Sequence, residues 1–293
     1  MSNPVGRFWK ITSPDGAVSH LWGTMHSNHP LILDLPEALI DQINTARIVA
    51  LELDYTTATR QQLNDQFNSV HRYVHPDEPM FSSLDLPFKL DTWIRDRFRA
   101  VGWGLDGPDL LNLPAIAEML LSDPCNDFTS GVYPIQDFRI QMLGDIAGAR
   151  IMGLEDPMRF YHRFGTGQDT QTVRAIIALY GAYLNPDVTA QDYASFFALY
   201  LQGRLGEWMA WDKAYITTLF PDGNGADWHQ LSHEYLLTER NVDFVNAALP
   251  ELYKGNMVIA VGAFHLPGHT GLIEMLRGAG FTVDRVVLEG EAP

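Results

Sequence analysis

Asn256-Met257-Val258-Ile259-Ala260-Val261-Gly262-Ala263-Phe264-His265 decides how this chain is read. Residues 256–261 are an apolar run that reads as a strand, and the run ends in Gly-x-x-His. Near the other end of the chain, Ser19-His20-Leu21-Trp22 runs into Gly23-Thr24-Met25-His26, the same pattern. Strand ends are where α/β proteins place chemistry, and a glycine there lets the backbone turn tightly or approach a ligand. The His three residues later can lean back over the strand end. If both strands lie in one sheet, His26 and His265 can meet in one site.

Working outward, Phe8–Thr12 and His20–Trp22 flank Ser13-Pro14-Asp15-Gly16, a turn signal between apolar runs that predicts a β-hairpin. Leu35–Ile43 has helical spacing with Pro36 near its first turn, and Ala46–Asp54 reads as a buried strand. The close is similar: strand 256–261, helix Gly271–Arg277 and strand Phe281–Val287. Both ends are therefore βαβ-like, which implies parallel pairing. Between them, about 57–145 and about 157–250 read as helical, broken by prolines and by Pro221-Asp222-Gly223-Asn224-Gly225. Ala149–Glu155 between them is a short strand candidate. The expected fold is α/β: a mixed central sheet from two related βαβ-like halves at the termini, with large helical insertions. One domain spanning 1–293 is expected, because neither terminal piece alone would cover both faces of its strands.

Hydrophobic residues make up 46% of the chain and charged residues 19%, as in a soluble globular protein. The net charge of −16 argues against nucleic acid or an anionic membrane as partner, since both need cationic contacts. Cys125 is the single cysteine, so no intramolecular disulfide forms, and its neighbours Ser122-Asp123-Pro124 and Asn126-Asp127 read as a loop without a base. Met1–Arg7 lacks the apolar core of a signal peptide, and no window reaches the roughly 18–20 apolar residues of a membrane span. A cytoplasmic location is the resulting expectation. Oligomeric state is not legible in the sequence.

Glu52 and Glu155 each follow an apolar strand run, Ile48–Leu51 and Ile151–Leu154. A carboxylate in such a place must pair, shift its pKa or act, because burying it bare is costly. Pairing with arginines for structure is the plain alternative to function. Asp54 and Asp156 flank them where the strands should end. Among the histidines, His26 and His265 stand out by their matching contexts. His29 and His269 lie close by in sequence, and His71 and His75 are four apart on a candidate helix. His20, His162, His229 and His233 carry no motif. Arg240-Asn241 follows Tyr235–Glu239 at or inside a helix, and an Arg there can clamp a carboxylate or stabilise an oxyanion. The aromatics Phe196, Phe197, Tyr200, Trp208, Trp211 and Trp228 fall at helical spacing, which is expected to make them core rather than groove. P-loop, Gly-x-Gly-x-x-Gly, Gly-x-Ser-x-Gly and His-Glu-x-x-His patterns are all missing from the sequence.

Leu21–His26, Leu51-Glu52-Leu53-Asp54, Gly153-Leu154-Glu155, Leu237-Thr238-Glu239-Arg240-Asn241 and Val261–Gly268 resemble, in order, the motifs of the TraB/PrgY/GumN family. That family includes the TIKI metalloproteases and is remotely similar to erythromycin esterases and haem-binding ChaN proteins. The resemblance implies a site of both histidines, glutamates and an arginine, with a divalent ion such as manganese or cobalt. Carried over, His26 and His265 are metal ligands, Glu52 and Glu155 share the roles of ligand and general base, and Arg240 faces developing negative charge. Asp156 departs from the Thr often found there. The expected activity is that of a metal-dependent hydrolase, a TIKI-like peptidase acting on a peptide or small molecule. Nitrogen and oxygen ligands suit manganese, cobalt, zinc or iron alike. A metal-free His/Glu esterase and a non-catalytic peptide- or haem-binding module are the alternatives.

Overall fold

The computed structural model describes residues 1–54, 61–62, 65, 72–75, 77–121, 135–165, 169–220 and 223–292. Cys125, His71 and the opening of the 221–225 turn lie outside the described residues. Six strands, β1 Phe8–Thr12, β2 Val18–Thr24, β3 Ile48–Leu51, β4 Arg150–Gly153, β5 Met257–Gly262 and β6 Thr282–Arg285, form one sheet in the order β4-β3-β5-β2-β1-β6. Neighbours among β4, β3, β5 and β2 pair in parallel, while β1 is antiparallel to both β2 and β6. The sheet is thus mixed and the class α/β, with helices inserted between the strands.

The two terminal units interleave instead of standing side by side. β2 and β3 run the same way, but β5 lies between them and bonds to both. Composition explains this place. Val258 and Ala260 pack on one face with Trp22, Val49 and Leu51; Met257, Ile259 and Val261 pack on the other with Phe244 and Ile273. A strand with no polar face needs neighbours at both edges and layers on both sides, and only the middle of a covered sheet supplies them.

Helices α1 Pro30–Leu33 and α2 Glu37–Thr45 follow β2. The first insertion carries α3 Phe88–Ala100, α4 Gly107–Leu110, α5 Leu113–Leu121 and α6 Gln136–Ile146. The second carries α7 Arg159–Phe164, α8 Thr170–Tyr183, α9 Ala190–Leu201, α10 Leu205–Thr218 and α11 Gly225–His233. A π-helical stretch, Glu234–Glu239, then joins α11 to α12 Arg240–Leu252, and α13 Leu272–Gly278 lies between β5 and β6. Leu39 and Ile43 of α2 and Ile140 of α6 cover one face of the sheet; α12 and α13 cover the other. Helices α3, α5, α7 and α8 build a core of their own around Phe98, Ile116, Phe164 and Ile176, while Tyr200 of α9 and Leu205 of α10 join the core on the sheet. Among the described residues, no helix is long and apolar enough to cross a membrane.

The insertion helices and the strand ends together line a cavity of about 370 Å³. Here the expectation for the aromatics needs correction. Tyr200 is buried, and Phe197 and Trp228 pack against core clusters, but Phe196, Trp208 and Trp211 line the cavity. An apolar helical stripe looks the same in sequence whether it meets a core or an enclosed space.

Candidate functional site

The sheet register sets the site. Thr24 pairs with Gly262, and Leu51 pairs with both Ala260 and Gly153, so four parallel strands end at one level. Just past those ends come His26 after β2, Glu52 after β3, His265 after β5 and Glu155 after β4. His26, Glu52, His265 and Arg240 line the same cavity. This is the convergence that the paired Gly-x-x-His pattern leads one to expect, and ligands of open α/β sheets bind at such carboxyl ends.

Glu52 is the hub. Its Oε1 accepts the Gly262 N–H at 2.7 Å and lies 3.6 Å from His265 Nε2 and 4.0 Å from His26 Nε2. Its Oε2 accepts from Arg240 Nη2 at 2.6 Å. The glycines serve close approach. A Cβ on Gly262 would stand 3.2 Å from Glu52 Oε1, and one on Gly23 would stand 3.1 Å from Ala263 Cα in the turn that carries His265.

Asn241 fixes the state of His265. The Asn241 amide donates to the Thr270 carbonyl at 2.8 Å and to the His265 carbonyl at 3.3 Å, which leaves its Oδ1 as the atom facing His265 Nδ1 at 2.7 Å. An amide oxygen only accepts, so Nδ1 carries the proton and Nε2 presents a lone pair to Glu52. His26 meets a second carboxylate: Asp137, in the first turn of α6, places Oδ1 3.6 Å from His26 Nε2 and accepts the Thr24 hydroxyl at 2.9 Å. Asp137 is buried, and its Oδ2 has no hydrogen-bond partner.

Arg240 is clamped between the glutamates. Glu155 takes it in a fork, with Nε to Oε2 at 2.9 Å and Nη2 to Oε1, and Nη2 also reaches Glu52. Both Glu155 oxygens are therefore committed to Arg240, and Glu155 does not line the cavity. Arg240 opens α12 directly after the π-helical stretch, a distortion frequent at functional sites.

Burial and charge act against each other across the cluster. Burial pushes His265 down to about 3, outweighing the pull of Glu52. For His26, burial also pulls downward, but Asp137 and then Glu52 outweigh it and raise the ring to about 9. The His26 side chain is 54% exposed, so water moderates the size of that rise and not its direction. Glu52 is held well below the carboxylate range: burial opposes this, but Arg240, then His26 and the Gly262 N–H, overcome it. Arg240 stays charged against the same burial because Glu52 and Glu155 surround it.

The donor set fits a divalent cation. His26, Glu52 and Asp137 offer ligand atoms within 4.8 Å of one another, and the neutral Nε2 of His265 adds a lone pair 3.6 Å from the Glu52 oxygen that His26 also faces. Two lone pairs facing each other across 3.6 Å, with a buried unpartnered Asp137 oxygen nearby, are unfavourable until a cation or proton joins them.

The remaining candidates lie elsewhere. His29 caps α1, with Nδ1 accepting the Leu31 N–H at 3.2 Å and its ring against Phe197. Asp156 pairs with His162 at 3.2 Å, and His75 and His269 are exposed. His229 and His233, which carry no motif, meet Asp212 in a buried group of their own. Asp137 escaped the sequence reading because an Asp in the first turn of a helix is ordinary dipole chemistry. Asn241 stood in a quoted motif, yet nothing local shows that it orients a histidine 24 residues on.

Comparison with curated proteins and with solved structures returned no match. The model of the TraB/PrgY/gumN family matches residues 7–285, nearly the whole chain, and the chain belongs to that family.

Proposed function

We propose that the strand-end centre is the active site of a metal-dependent hydrolase, of the peptidase type that the family resemblance suggests. The observation that carries this reading is the meeting of His26 and His265, from opposite ends of the chain, on one oxygen of Glu52. His26 Nε2, His265 Nε2 and Glu52 Oε1 would hold the ion, and imidazole with carboxylate suits manganese, cobalt, zinc or iron. A divalent ion bound there supplies Lewis acidity and a water of lowered pKa.

The chain's own groups supply the rest. Asn241 holds the His265 ring in the tautomer that leaves Nε2 free. Asp137, whose Oδ1 lies 3.6 Å from His26 Nε2 and accepts the Thr24 hydroxyl, holds the His26 ring in place. Arg240 lines the cavity and is fixed by two carboxylates, so it meets negative charge developing on the scissile carbonyl oxygen without having to reorganise. Glu155 positions Arg240. Phe196, Trp208 and Trp211 give the substrate an apolar wall.

The test is a peptide library incubated with the chain loaded with manganese, cobalt, zinc or iron, read by mass spectrometry. New termini should appear with the loaded wild type and vanish after chelation and in Glu52→Gln. Intact peptides with all four metals would overturn the peptidase reading. A second reading, metal-free ester hydrolysis, draws on the Asn241–His265 pair, since an oriented neutral imidazole with a free Nε2 is also a general base. Turnover of a nitrophenyl ester that survives exhaustive chelation would favour it.

A further inference from the structure

A second cluster lies in the wall of the same cavity, away from the strand ends. His229 and His233 are one helical turn apart on α11, and Asp212 comes from α10. Asp212 Oδ2 lies 3.4 Å from His229 Nε2 and 3.7 Å from His233 Nε2. All three ligand atoms fall within 4.8 Å of one another. Asp212 and His229 are buried, at 3% and 7% exposure.

Hydrogen bonding leaves part of the group unsatisfied. Asp212 Oδ2 and His229 Nε2 are both buried without a hydrogen-bond partner, although they face each other. A carboxylate oxygen and an imidazole nitrogen left unsatisfied in the interior cost free energy that evolution normally removes. The His229 and His233 rings stack with centroids 3.8 Å apart. The other Asp212 oxygen accepts the Tyr183 hydroxyl at 2.8 Å, the kind of outer contact that orients a ligating carboxylate.

We infer that Asp212, His229 and His233 form a second metal site, for a zinc-class transition ion, with an open coordination position toward the cavity. Tetrahedral ligands at zinc distances stand about 3.3–3.4 Å apart, close to the separations seen here. Two histidines at i and i+4 with one carboxylate make a three-ligand set that leaves the fourth position free. Asp212 and His233 line the cavity, so that position faces whatever occupies it. Nothing in the inference requires an ion at the strand ends.

Zinc chloride titrated calorimetrically into the metal-stripped chain tests this. Zinc binding should persist in the His26→Ala/His265→Ala double variant and weaken by roughly tenfold or more in His233→Gln. Loss of all zinc binding in the double variant, or unchanged binding in His233→Gln, would overturn the inference. If the strand-end reading alone is wrong, wild type and double variant titrate alike and His233→Gln still weakens both. Wild-type crystals soaked in zinc chloride need no variant to fold. An anomalous peak about 2.0–2.2 Å from the three side chains would support the site, and none there would overturn it.

Discussion

Asn241 is the residue on which the chemistry of His265 turns. It donates to two carbonyls and so has only its oxygen left for the ring, which forces the proton onto Nδ1. Asn241→Ala should lower manganese affinity about 10–100-fold, the usual loss when a ligating histidine loses its orienting partner, as read by calorimetry. Glu52 and Glu155 look alike in sequence, each a lone acid after an apolar strand. Space separates them: Glu52 reaches both histidines, whereas both Glu155 oxygens accept from Arg240. Glu155→Gln should therefore bind manganese as wild type does, while Glu52→Gln loses roughly tenfold or more. Equal losses in the two variants would put Glu155 among the ligands. Arg240→Leu removes the cation that both buried glutamates share and should destabilise the fold by about 3–5 kcal/mol in urea unfolding.

Among the elements, the strands and the helices beside them were the most legible. Apolar runs at 46–54, 149–155 and 256–261 became β3, β4 and β5 with ends shifted by a few residues. The insertions were readable as helical, but the π-helical stretch was not, because an i→i+5 turn has no pattern of apolar spacing that separates it from α. Helix α8 bears Tyr180 and Tyr183 toward the cavity and is anchored at its start by Asp169. Asp169 accepts the Thr172 N–H at 3.1 Å and hydroxyl at 3.0 Å and pairs with Arg163 at 2.9 Å. Burial opposes ionisation, yet these partners hold its carboxyl below the usual range. A depressed folded pKa stabilises above the unfolded value and is lost as pH falls through the folded one. Asp169→Ala should thus cost about 1 kcal/mol at neutral pH, and its difference from wild type should shrink below about pH 4. Chemical denaturation followed by circular dichroism at pH 7 and pH 3 measures both.

At the scale of the molecule, topology makes the site. The sequence offered two strand ends with matching glycines and histidines, and that much of the centre could be read from it. It did not show that β5 would enter between β2 and β3, which is what sets His265 beside Glu52 and His26. Nor did it show Asp137 or the Asp212 group, since those meetings depend on how insertion helices lie over the sheet, and no local pattern encodes that. A ligand that ties β2, β3 and β5 together should stabilise the whole fold. Manganese at 100 times its dissociation constant should add about 2.7 kcal/mol to unfolding, and His26→Ala/His265→Ala should abolish that gain in thermal scans. Crystals soaked in manganese chloride, with data collected near the manganese absorption edge, decide whether the strand ends hold a metal. A single anomalous peak in contact with His26 Nε2, His265 Nε2 and Glu52 Oε1 is the expected result. A map flat at that point, with the three side chains well ordered, would contradict it.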